Sequence, residues 1–126
     1  MIEVTEVIEL FLQVCPDVRP ELEEYRKHWG DEPPLYYCEI DIFTSYVVDS
    51  YEKARTESFA PIFQLVERLI TEGDDETQCL MIVGLLEGLQ NSASWRSFGY
   101  HAFEPYLEPT SLAAWRELEV MWEGKD

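Results

Sequence analysis

Apolar residues recur at steps of three and four along most of this chain, a spacing that places them on one face of an α-helix. The first such stripe runs to Cys15, and Pro16 then stops the helix because proline has no backbone N–H to donate. Further stripes follow, separated by proline, glycine or short runs of acids. The predicted helices cover residues 4–15, 20–28, 35–55, 59–70 and 75–91, with a brief segment at 102–107 and a final helix from Thr110 or Ser111.

Residues at the helix ends support these boundaries. Gly30 suits a left-handed cap after the second helix, because glycine adopts positive φ without steric cost. Pro61 is tolerated only within the first turn of its helix. The acids Asp74, Asp75 and Glu76 complement the positive end of the next helix dipole. Residues 35–55 also contain positions that suit a strand, and the length of the run favours a helix.

The helix at 75–91 is apolar almost all round, which predicts a position at the centre of the fold. Gly84 and Gly88 lie on one side of it and permit close approach by a neighbouring helix. No hairpin dipeptide such as Asn-Gly separates alternating runs. We therefore expect an all-α fold: a compact single-domain bundle of about five to seven helices that covers residues 1–126.

Charge limits the classes of partner. The chain has 26 Asp and Glu residues against 9 Lys and Arg residues, and its formal net charge is −17. The charge is spread evenly over the chain, and a hydrophobic content of 46% is too high for a disordered acidic tail. Nucleic acids and anionic lipids repel such a polyanion, so we expect neither as a partner. A cationic protein partner is favoured instead, because complementary charge accelerates association.

Targeting and cysteine signals are weak. Glu3, Glu6 and Glu9 lie where a secretory signal would need positive charge. The longest apolar run, 79–86, is far shorter than the ~20 residues that span a bilayer. We expect a soluble, cytoplasmic protein. The cysteines, odd in number and without a CxxC pair, predict buried free thiols rather than disulfides or a zinc site; they are Cys15, Cys38 and Cys79.

The inventory of chemistry-bearing residues favours a binding protein over an enzyme. His28 and His101 lie far apart in the sequence, and we interpret them as a helix-end and a loop histidine. Phosphate-binding glycine loops and nucleophile elbows are missing from the sequence. Carboxylate pairs are so abundant that no single pair is informative. The sequence therefore predicts no catalytic residue, no metal ligand and no cofactor.

A more suggestive feature is a segment in which aromatic and acidic residues alternate. Tyrosine and tryptophan offer large, rigid contact areas, and neighbouring carboxylates would match arginines and lysines on a basic partner. The alternative is that the aromatic rings pack on the core and the acids form a solvated face. The predicted partner-binding residues are Trp29, Asp31, Glu32, Tyr36, Tyr37, Glu39 and Asp41.

Three runs together resemble a known family: Trp-Gly-Asp-Glu at 29–32, Gly-Leu-Leu-Glu-Gly-Leu-Gln-Asn at 84–91, and Phe-Glu-Pro-Tyr-Leu at 103–107 followed by Trp115. The family comprises small acidic helical bacterial proteins of undefined activity, which look like immunity proteins of polymorphic toxin systems. The resemblance implies an antitoxin-like binder that neutralises a cognate toxin with a basic surface, and it carries no catalytic residue. The alternative is a small helical interaction adaptor without a toxin partner.

Overall fold

The computed structural model describes residues 1–30, 32 and 35–123, and it has the predicted all-α fold. No β-strand occurs in these ranges; Ile2 and Gly73 form an isolated bridge. A π-helical segment, Leu80–Leu86, joins the fifth and sixth helices, and 3₁₀ segments lie at Pro16–Val18 and Tyr100–Tyr106. The α-helices are α1 (Val4–Val14), α2 (Arg19–Trp29), α3 (Tyr36–Glu52), α4 (Phe59–Glu72), α5 (Asp75–Cys79), α6 (Glu87–Ser94) and α7 (Pro109–Glu123).

Three of the residues predicted to mark helix ends, Gly30, Pro61 and Asp74, lie at helix ends in the structure. Gly30 follows α2 with φ of +81°, and its N–H donates to the carbonyl of Arg26. Pro61 is the third residue of α4, within the first turn, where its missing N–H costs no helical hydrogen bond. Asp74 caps α5, because its Oδ1 accepts a 2.9 Å hydrogen bond from the backbone N–H of Thr77. This hydrogen bond from the Thr77 backbone lowers the pKa of Asp74.

The backbone of Ile2 forms hydrogen bonds to the junction between α4 and α5. The N–H of Ile2 donates to the carbonyl of Glu72, and its own carbonyl accepts from Asp74 N and Thr77 Oγ1, at 2.9, 2.9 and 3.1 Å. Gly73 lies at the centre of this junction. A Cβ there would come within 2.4 Å of the Leu69 carbonyl oxygen, so only glycine fits.

The predicted central helix is present, with two differences. Its middle is π-helical, and the buried residues of that segment are Leu80, Met81, Leu85 and Leu86. This segment packs against α3, α4 and α7. One edge reaches solvent, because Cys79 is exposed and Val83 is 49% exposed. The central position is confirmed, although the helix is not buried along this apolar edge.

The predicted close approach at the two glycines is confirmed. A Cβ on Gly84 would lie 3.0 Å from Ile40 Cγ2 and 3.2 Å from Tyr37 Cδ1. A Cβ on Gly88 would lie 3.3 Å from Thr44 Cγ2. All three neighbours belong to α3, so α3 packs directly on the backbone of the central helix.

The last helix begins at Pro109, earlier than predicted, because its cap comes from another helix. Glu67 of α4 accepts hydrogen bonds from the N–H groups of Thr110 and Ser111, at 3.0 and 2.8 Å. Partial burial opposes ionisation of Glu67, and the hydrogen bonds from Ser111 and Thr110 outweigh it, so its pKa is lowered. Among the described residues, no helix is long and apolar enough to cross a bilayer.

Candidate protein-binding surface

The predicted binding residues that the structure describes lie on two different sides of α3. A helix turns about 100° per residue, so Tyr37 and Asp41 share one side while Tyr36 and Glu39 lie toward another. The structure places Glu39 against α2 and Tyr37 against the π-helical segment. The segment that alternates aromatic and acidic residues in sequence therefore does not form one continuous surface.

On the α2 side, Glu39 is a structural residue. Its carboxylate is 1% exposed and accepts two hydrogen bonds from Arg26, from Nε at 2.8 Å and from Nη2 at 3.0 Å. The hydrogen bond to Glu39 raises the pKa of Arg26. This ion pair joins α2 to α3 and leaves Glu39 no exposed oxygen for a partner.

A cavity of about 240 Å³ opens beside this ion pair, lined by Arg26, Trp29, Gly30, Glu32 and Glu39. Trp29 is half-buried and stacks on Tyr25, with ring centroids 5.9 Å apart and planes 13° apart. Glu32 is exposed at the opening. Asp31 lies outside the described residues.

On the opposite side, three residues form an exposed apolar area, which we call the Tyr37 patch: Tyr37, Cys79 and Val83. Tyr37 is 48% exposed and lies over Gly84, the neighbour of Val83. Partial burial, with the nearby Cys79 and Glu76, raises the pKa of Tyr37. Asp41 is exposed one helical turn further along α3, whereas Tyr36 is half-buried and packs on the core. The patch is therefore apolar at its centre and acidic at its edge.

Internal ion pairs neutralise only a small part of the negative charge. In the described part of the chain, Arg or Lys side chains hold six carboxylates: Glu9, Glu24, Glu39, Asp49, Glu52 and Glu72. The chain has 26 acidic residues in all. Most described carboxylates consequently have no Arg or Lys partner within the chain.

A second cavity, of about 290 Å³, combines residues that are distant in sequence. Its walls come from the start of α2, the end of α3 and the loop that follows α3. The charged lining residues are Asp17, Glu21, Asp49 and Glu57 on the acidic side and Lys53 and Arg55 on the basic side. The cavity already contains its own cations, so it is a weaker candidate for a cationic group of a partner than the Tyr37 patch.

The structure contains a further cluster, of His101, Glu104 and Glu119, that the sequence analysis did not predict. The spacing of its first two members is visible in the sequence. His101 and Glu104 have the HxxE spacing of adjacent side chains on a helical turn, and Nδ1 of His101 lies 2.6 Å from Oε2 of Glu104. Glu119 of α7 completes the cluster, with its Oε2 3.4 Å from the same nitrogen. No sequence signal joins Glu119 to His101, because the contact depends on how α7 packs.

The prediction of three buried thiols is correct only for Cys15. Burial raises the pKa of the Cys15 thiol to about 12, and its Sγ donates to the carbonyl of Phe11 at 3.0 Å. Cys38 and Cys79 are exposed. Both lie on helix faces that the apolar periodicity alone assigns to the interior.

Comparison with known proteins identifies a family without an assigned activity. No curated protein and no solved structure matches the chain. A family model described as "Domain of unknown function (DUF7674)" matches residues 8–123. The match agrees with the expected resemblance to a family of undefined activity, and nothing in it concerns immunity proteins, so that link stays a prediction. Because the match covers nearly the whole chain, this protein belongs to the DUF7674 family.

Proposed function

We propose that this protein is an immunity protein that binds one cognate bacterial toxin in the cytoplasm and blocks it stoichiometrically. The toxin would present a basic surface around its active site. The observation that carries this proposal is the Tyr37 patch, an exposed apolar area with the acids Asp41 and Glu76 at its edge. The alternative is a small helical interaction adaptor without a toxin partner, in which the acids serve solubility alone.

The acidic surface supports the choice of a basic partner. Unpaired carboxylates produce a negative potential over the whole domain, and such a potential steers a cationic protein toward it. Steering raises the association rate more than it raises affinity. An inhibitor gains from this property, because it must reach its toxin before the substrate does.

The composition of the Tyr37 patch supports its place at the centre of the contact. Protein interfaces commonly combine an apolar or aromatic centre with a polar rim that excludes water. Tyr37 and Val83 supply the centre, and Asp41 and Glu76 supply acids at the rim. Val83 is half-exposed within an otherwise apolar helix, where packing of the domain does not require its side chain.

The proposal uses only part of the predicted set of contact residues. Glu39 serves the fold, because its carboxylate is buried against Arg26. Trp29 and Glu32 lie at the 240 Å³ cavity on the other side of α3. We therefore place the docking centre at Tyr37 and Asp41 and extend it to Cys79 and Val83.

The test is co-expression with the toxin encoded beside the gene. The wild-type protein should protect cells from that toxin and co-purify with it in a defined ratio, and association should slow as salt screens the charges. The variant Asp41→Lys with Val83→Lys should lose protection while it keeps its fold. Its matched control is Glu117→Lys with Val120→Lys, which makes the same chemical changes at exposed positions of α7 and should still protect.

Two results would contradict the proposal at different levels. If the neighbouring toxin is neither bound nor neutralised, the immunity function is wrong. If both lysine variants protect equally well, the toxin docks elsewhere and the Tyr37 patch is not the contact.

A further inference from the structure

The cluster of His101, Glu104 and Glu119 lies where the segment Tyr100–Tyr106 meets α7, away from the Tyr37 patch. One ligand atom from each side chain lies within 4.8 Å of the other two. From this arrangement we propose that the protein has a site for a first-row divalent transition metal ion of the Zn²⁺ type. The proposal is independent of the immunity function.

The distances suit a metal ion. Ligands bound to Zn²⁺ at about 2.1 Å lie about 3.0–3.4 Å from one another in octahedral or tetrahedral geometry. Nδ1 of His101 is 3.4 Å from the Glu119 oxygen and 2.6 Å from the Glu104 oxygen. The shorter distance is a hydrogen bond, so the metal would replace the shared proton and the two atoms would separate by about half an ångström.

Neighbouring residues hold the ligands in place. The indole Nε1 of Trp115, a fully buried residue, donates to Oε2 of Glu104 at 3.1 Å and so orients that carboxylate. The ring of Tyr100 lies against the imidazole of His101, with centroids 4.4 Å apart. Outer contacts of this kind orient the ligands of metal sites and raise their affinity.

The other histidine provides a comparison within the same chain. His28 lies 3.5 Å from Glu24, and both side chains are well exposed, at 75% and 61%. In the cluster, the side chains of Glu104 and Glu119 are only 28% and 18% exposed. The two partly desolvated carboxylates distinguish the cluster from a surface ion pair.

The ligand types also select the metal. Ca²⁺ and Mg²⁺ prefer sites made of oxygen atoms, whereas an imidazole nitrogen with two carboxylates favours Zn²⁺ and its first-row neighbours. Three protein ligands leave the remaining coordination positions to water. The bound ion would link the segment Tyr100–Tyr106 to α7 and so hold the last helix in place.

The experiment is titration of the metal-free protein with Zn²⁺, in excess Mg²⁺ that occupies the non-specific acidic sites. Side-chain NMR signals report on each histidine separately, because the chain has two. One equivalent of Zn²⁺ should shift the signals of His101, leave those of His28 in place and raise the thermal midpoint. His101→Ala and Glu119→Gln should each weaken binding more than tenfold, and the control His28→Ala should bind as the wild type does.

The opposite results would overturn the proposal. If Zn²⁺ shifts neither histidine, or both equally, the cluster is a histidine–carboxylate ion pair without a metal function. Unchanged affinity in His101→Ala would lead to the same conclusion. These measurements use the protein without a toxin, so they fail or succeed independently of the immunity function.

Discussion

The two sides of α3 contact their neighbouring helices in different ways. On the α2 side, α3 meets its neighbour through a buried ion pair between Glu39 and Arg26. On the other side, it meets the central helix through bare backbone at Gly84 and Gly88. The comparison shows that an acid in an acidic protein is not necessarily a surface group, and that the helical period decides which acids can reach a partner.

The largest expected loss of stability concerns the ion pair between Arg26 and Glu39, and it depends on which of the two residues is replaced. Arg26→Met should lower the free energy of unfolding by about 3 kcal/mol, because it leaves the buried Glu39 carboxylate without a counter-charge. Glu39→Gln should cost only about 1 kcal/mol, because the Arg26 side chain, 46% exposed, can turn to water. Urea denaturation measures both values.

A matched control for that asymmetry is the ion pair between Arg19 and Glu9, in which both side chains are exposed. Arg19→Met should cost less than about 1 kcal/mol. Equal losses in Arg26→Met and Glu39→Gln would show that burial of the carboxylate does not govern the stability of this side.

A smaller effect is expected on the glycine side. Gly84→Ala should destabilise the protein by about 1 kcal/mol, because the clash with Ile40 and Tyr37 exceeds the gain in helix propensity. Gly88→Ala should be within about 0.5 kcal/mol of neutral, because Thr44 lies slightly further away and the propensity gain offsets the contact. Thermal unfolding compares the two variants directly. If Gly88→Ala lowers the thermal midpoint more than Gly84→Ala does, then α3 packs more tightly on Gly88 than on Gly84, which contradicts the structure.

Chemical labelling of the thiols tests the burial of each cysteine, and it is expected to change stability least. Iodoacetamide should modify Cys38 and Cys79 in the folded protein and reach Cys15 only after unfolding, because Cys15 is buried and its pKa is raised to about 12. Mass spectrometry of partly labelled protein gives the order of modification. Early labelling of Cys15 would contradict its burial, and a bulky label on Cys79 should weaken docking at the Tyr37 patch more than one on Cys38.

The sequence predicts most of the fold because the relevant signals are local. Apolar periodicity locates the helices, and Pro16, Gly30 and Asp74 mark ends that the structure confirms. The close approach at Gly84 and Gly88 is also predicted, since two glycines one turn apart leave a groove in any helix. These inferences need only the spacing between residues a few positions apart.

The remaining features depend on contacts between distant segments. The helical period places Glu39 on the buried face of α3, but no sequence signal shows that Arg26 of α2 supplies its counter-charge. The π-helical form of Leu80–Leu86 and the exposed edge at Cys79 and Val83 depend on how the central helix packs against α3, α4 and α7. A helix that is apolar almost all round carries no sequence signal that tells its exposed edge from its buried faces.

The cap of α7 has a consequence for the order in which the chain folds. The acceptor, Glu67, lies 43 and 44 residues before the two N–H groups that it binds. Because α4 leaves the ribosome before α7, these two N–H groups meet an acceptor that α4 has already supplied, and they cannot be bound before α4 has formed. A short helix is marginally stable by itself in water, so α7 should form as it docks onto α4 instead of forming first and docking later.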